Sequence, residues 1–90
     1  MPRLTPEAAR FLEDVIERSG RDDAAIRVER SPRGFALQLD REQEGDEMLE
    51  SDGQVLVVMA EEVAEQLGDA VIDVREAGET SKLVISRERE

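Results

Sequence analysis

Apolar residues near the start of the chain recur at intervals of three and four. Ala8, Phe11, Leu12, Val15 and Ile16 thereby share one face of a helix. Thr5-Pro6-Glu7 supplies its start, with a capping hydroxyl, a proline preset for the first helical position and an acid in the first turn. Gly20 supplies a stop, and Arg10–Asp14 and Asp14–Arg18 are spaced for ion pairs one turn apart. Beyond Gly20 the period falls to two. Ala25 to Glu29 and Phe35 to Leu39 alternate as strands, with Ile26 and Val28 on one face and Phe35, Leu37 and Leu39 on the next.

A polar loop over Arg41 to Gly45 follows, then strands over Glu47 to Ser51 and Gln54 to Met59. Asp52-Gly53 joins them, a pair that favours a tight type I′ hairpin. Ala60 to Leu67, closed by Gly68, reads as a short helix with Val63, Ala64 and Leu67 inward. Ala70, Ile72 and Val74 alternate again, Gly78 turns the chain, and Leu83 to Ile85 forms a last strand. Strands joined mainly by turns predict an α+β domain, mostly antiparallel, with one short helix before the last two strands. Its expected core is Phe11, Leu12, Val15, Ile16, Ile26, Val28, Phe35, Leu37, Leu39, Val55, Val57, Ile72, Val74 and Leu83. Length alone predicts one domain over residues 1–90, with a modest core.

Composition narrows the chemistry sharply. The ninety residues contain no Cys, His, Trp or Tyr. Disulfides, zinc fingers and cysteine-ligated clusters are therefore outside this stretch, as are the commonest general base and the strongest nucleophile. A net charge of −11 repels nucleic acid, and with two aromatics there is no stacking platform for single strands. The longest apolar run, Val55 to Ala60, is far too short to span a membrane, and the N-terminus lacks the apolar core of a signal peptide. A cytoplasmic, non-enzymatic protein is expected, whose partners are another protein or a second copy, with neither nucleic acid nor membrane among them.

Four groups of polar residues warrant testing. Asp40-Arg41-Glu42-Gln43-Glu44-Gly45 places acids and Gly as a calcium loop does, but the twelfth position is Ser51 where Glu is required. Its flanks alternate as strands, so a solvated acidic loop is the plainer reading, and a weak carboxylate site for a divalent cation is the alternative function. The carboxylate pairs Glu42/Glu44 and Asp46/Glu47 have no apolar surroundings to raise a pKa for acid–base work. Ser31, Ser51, Ser81 and Thr80 have no His partner, Ser81 and Lys82 point to opposite strand faces, and Gly78-Glu79-Thr80 is too short and acidic to cradle phosphate. Arg27, Arg30 and Arg33 are the one local reversal of charge: they contact an acidic partner, or they balance the acidic loop.

Taken together, Leu4 to Arg18, Arg33 to Asp40, Glu44 to Val58, Leu67 to Gly78 and the closing Lys82 to Ser86 resemble the HesB-like, or A-type, iron–sulfur carrier domain. The resemblance extends over nearly all ninety residues and implies that family's mostly antiparallel or mixed sheet fold. It also implies three ligand cysteines, one in the turn before a Gly-Phe pair and two in a Cys-Gly-Cys tail. The first position falls on Pro32, within Ser31-Pro32-Arg33-Gly34, and the tail has no counterpart in these ninety residues. The expectation is a cysteine-free relative that binds no iron–sulfur cluster, cofactor or metal. It would serve as a binding or scaffold module linked to cluster metabolism.

Overall fold

The computed structural model describes residues 2–21, 23–32, 34–78 and 80–87, the side chains at 77, 80, 81 and 87 excepted. After a two-residue strand β1 (Arg3–Leu4) comes helix α1 (Pro6–Ser19). Strands β2 (Ala24–Ser31), β3 (Gly34–Arg41), β4 (Glu47–Ser51) and β5 (Gln54–Met59) follow, then helix α2 (Glu61–Leu67) and strands β6 (Ala70–Ala77) and β7 (Thr80–Arg87). The strands form two sheets, β1-β6-β7 and β3-β2-β5-β4. This is an α+β fold with mixed sheets: β1 with β6 and β2 with β5 are parallel, and the three hairpin pairs are antiparallel.

Local chemistry explains the element ends. Thr5 caps α1 by accepting the Ala8 amide on Oγ1 at 3.1 Å, and the same hydroxyl donates to Asp73 Oδ1 at 2.8 Å. One side chain thus starts the helix and pins it to β6. Gly20 ends the helix at φ 74°, its amide donating to the Glu17 carbonyl. Asp14 and Arg18 close an ion pair at 3.1 Å on an exposed face. At the β4–β5 turn, Asp52 (φ 52°) and Gly53 (φ 80°) both take positive φ, as a type I′ hairpin demands.

The core lies where α1, β2, β5 and α2 meet. Leu12, Ile16, Ile26, Val28, Leu56, Val57, Met59, Val63 and Leu67 pack into one cluster. Phe11, Val15, Phe35 and Leu83 lean on it half-buried, and Ile72 is fully buried. Of the expected core, Val55 and Val74 reach only half-burial. Leu37 and Leu39 depart from expectation, at 41% and 38% exposed. Their register partners Val28 and Ile26 are buried on the same face, but β3 ends its sheet, and the helix covers its inner neighbour instead. The opposite departure occurs on β5, where Leu56 and Val58 are both 0% exposed, so this strand is buried on both faces. A continuous apolar run is the signature of such a strand, and here it overrides alternation.

Candidate functional site at the hairpin corner

The β2–β3 ladder runs without a break from Ala24 opposite Arg41 to Ser31 opposite Gly34. Its tip is the Ser31-Pro32-Arg33-Gly34 corner. Pro32 is exposed, Ser31 is half-buried, and Arg33 falls outside the described residues. Gly34 holds φ 129°, a conformation that side-chain-bearing residues rarely adopt, although nothing lies within 4 Å of where a β-carbon would sit. The corner is thus built on a required glycine, with the exposed prolyl ring of Pro32 two residues before it. In the chain the proline nitrogen is a tertiary amide with its lone pair delocalised into the carbonyl, so the ring offers no side-chain donor to a metal.

The arginines behind the corner separate into different roles. Arg27 is buried on the face of β2 opposite the core cluster, 7% exposed overall. Its Nε donates to Asp40 Oδ2 at 2.6 Å, and its Nη1 and Nη2 donate to the two oxygens of Asp46 at 3.2 and 2.7 Å. Nη2 also donates to the Arg41 carbonyl at 2.9 Å, so the guanidinium makes four hydrogen bonds in all. Asp46 in turn accepts the Gln43 amide at 2.8 Å, which folds the 42–46 loop onto the sheet. The expected balance of arginine against acidic loop is thus realised by Arg27, inside the molecule. Arg30 is exposed beside the corner.

The electrostatics of this hub follow from its geometry. The Arg27 hydrogen bonds hold the Asp46 carboxyl below the usual aspartate range, against the opposing effect of burial. Asp40 is lowered too, first by the Arg41 amide and then by Arg27. Asp46 raises the affinity of Arg27 for its proton, partly offset by burial. A general acid at neutral pH needs a raised pKa, so Asp46 is tuned the wrong way for that role. Sequence reading placed Asp46 among solvated surface carboxylates, whereas its side chain is only 6% exposed. The missed signal is an arginine at an inward strand position, whose partner is defined only by three-dimensional packing.

Asp40, first in the calcium-like loop, is held by Arg27, while Glu42 and Glu44 are exposed and Ser51 lies at the end of β4. Among the described residues, no three carboxylates converge on a point where a cation could sit. Lys82 is exposed on β7, while the side chains of Thr80 and Ser81 and all of Glu79 lie outside the described residues. No helix among the described residues is long and apolar enough to cross a membrane.

Helix, hairpins and crossovers in this order define the HesB/IscA-like fold. Solved structures that share it include the Escherichia coli SufA involved in biosynthesis of iron–sulfur clusters, at TM-score 0.78 and 17% identity over 93% of this chain and 82% of that one. IscA with a [2Fe-2S] cluster aligns at TM-score 0.68 and 24% identity, covering 94% of this chain and 83% of its own. A protein from Aquifex aeolicus, solved by NMR in solution, gives 0.71 and 21%, with 94% and 89% covered. No family model matches the chain, and no curated protein matches it by sequence. At these identities the likeness establishes the fold.

Proposed function

We propose that this chain is a non-catalytic, cytoplasmic module of iron–sulfur cluster metabolism that acts through its protein surfaces and holds no cluster within these ninety residues. The observation that carries the reading is the meeting of that fold with a donor set that cannot serve it. The chain is shaped like a carrier, yet Pro32 stands at the ligand corner implied by the resemblance, and there is no Cys or His anywhere in the sequence. Cluster irons take thiolate or imidazole ligands, and carboxylates or backbone carbonyls are poor substitutes for either. What the fold retains is shape and surface, which suffice for docking to proteins that handle clusters.

The test is to titrate the chain into a [2Fe–2S]-loaded carrier of the same fold and, separately, into that carrier's cluster donor and acceptor. A saturable complex with at least one of them, in which the carrier keeps its visible absorbance, is expected. Absence of a complex with all three would overturn the reading.

A further inference from the structure

Short strands, bulges and lysines keep a sheet edge from accepting a foreign strand. Strand β1 is two residues long, β4 is short with a register shift between Leu49 and Glu50, and β7 carries Lys82. Strand β3 ends its sheet with none of these, running eight residues in unbroken register. A groove of about 390 Å³ opens beside it, lined by Phe11 and Val15 of α1 and Leu83 of β7. Three consecutive residues of β3, Leu37, Gln38 and Leu39, border that groove. Successive side chains point to opposite faces, so such a run meets the groove along the strand's edge. There alternate main-chain N–H and C=O groups have no partner strand. A helix laid in the groove would leave those groups uncompensated, because its own main chain is already bonded. An extended segment pairs with them and sets every second side chain against the apolar lining.

The charges at the two ends of β3 define that segment further. Arg30, in register with Phe35, lies on the same face as Leu37 and Leu39 and is exposed. Glu42 and Glu44 follow the other end of β3 and are exposed as well. Asp40 is taken by Arg27, and Arg41 lies 3.8 Å from Asp23. Arg30, Glu42 and Glu44 have no side-chain partner among the described residues.

We propose that β3 is a docking edge for an extended segment of another protein, which adds to the four-stranded sheet as a fifth strand. The segment runs antiparallel to β3, the more stable pairing. It is basic where it passes Glu42 and Glu44, apolar at alternate positions along Phe35 to Leu39, and acidic where it reaches Arg30. This gives the docking role proposed above a surface and a partner chemistry, and rests on that role only for the existence of a partner. A probe free of any iron–sulfur protein keeps the two apart, since its failure leaves that role standing.

The probe is a capped synthetic nonapeptide of two lysines, three valines alternating with three threonines, and a closing glutamate on the valine face. Titrated into the isotope-labelled full chain, it should saturate below about 1 mM and shift the amide signals of Phe35 to Arg41, Phe11 and Val15. N-methylation of two successive central residues removes the main-chain donor in either register and should weaken binding about tenfold. Leu37→Lys should weaken it at least as much, with circular dichroism unchanged. Arg30→Glu should weaken it about tenfold, and lysine in place of the peptide's glutamate should restore it. Absence of saturation, signals that move elsewhere, or indifference to N-methylation would overturn the proposal. So would equal binding of a peptide of the same composition with its valines consecutive, which marks attraction to the acidic chain alone. A second copy of the chain that holds this edge against the peptide would overturn it too.

Discussion

Arg27 and Asp46, nineteen residues apart in sequence, meet through two hydrogen bonds at 3.2 and 2.7 Å, with side chains only 9% and 6% exposed. The contact ties the β3–β4 loop to the middle of β2. An ion pair removed from water contributes little compared with an apolar pair of the same shape, but removing one partner strands the other. Asp46→Ala should therefore cost roughly 3–5 kcal/mol, because it leaves Arg27 with one carboxylate in a closed site. Chemical denaturation measures it. A cost below about 1 kcal/mol would mean that the loop opens and rehydrates the arginine at little expense.

The same pair sets the acid sensitivity. Asp46 has a folded pKa below its unfolded value, which is near 3.9. Its contribution is complete above that value and is lost as pH falls through the folded pKa. The wild type should therefore hold its stability between about pH 7 and 5 and lose it below about pH 4. Relief of the net negative charge acts in the opposite direction over that range, so the comparison with Asp46→Asn is the informative one. The stability difference between wild type and Asp46→Asn should shrink as pH drops below about 4. A difference independent of pH would place the aspartate's contribution outside its charge.

Thr5 serves the helix start and the contact with β6 through one hydroxyl. Thr5→Val keeps the shape but leaves the Ala8 amide uncapped and Asp73 short of a donor. The expected loss is about 1–2 kcal/mol, larger than Thr5→Ser, which should stay within about 0.5 kcal/mol of wild type. Thermal melts of the three proteins order them.

Core and edge leucines should separate cleanly. Leu12→Ala and Leu56→Ala remove fully buried side chains and should each cost roughly 2–5 kcal/mol. Leu37→Ala, measured at low protein concentration, should cost under about 1 kcal/mol, because its side chain is already partly in water. Equal losses at Leu37 and Leu56 would contradict the exposed placement of β3.

These sites mark what the sequence could and could not disclose. Thr5-Pro6-Glu7 and Asp52-Gly53 are legible because their chemistry is completed within four residues. The helix stripe and the three hairpins follow from periodicity for the same reason. The parallel ladders β1–β6 and β2–β5 join segments far apart in sequence, and no local pattern encodes them. Leu37 alternates as a core residue does, and only the strand order reveals that β3 stands at an edge. Arg27 looks like its neighbour Arg30 in sequence, yet strand alternation turns one inward to two aspartates and leaves the other in solvent. At the corner, periodicity reads only a turn, and it is the resemblance alone that assigns Pro32 to a ligand position.

Whether the ninety residues can hold a cluster is decided most directly by anaerobic reconstitution with iron and sulfide, followed by desalting and analysis of iron, acid-labile sulfide and visible absorbance per chain. The expected protein is colourless, with iron and sulfide far below stoichiometric amounts, and Pro32→Cys leaves it so because one thiolate cannot complete a ligand set. Stoichiometric iron with charge-transfer bands in the unaltered chain would contradict the assignment of Pro32 to a corner emptied of its ligand.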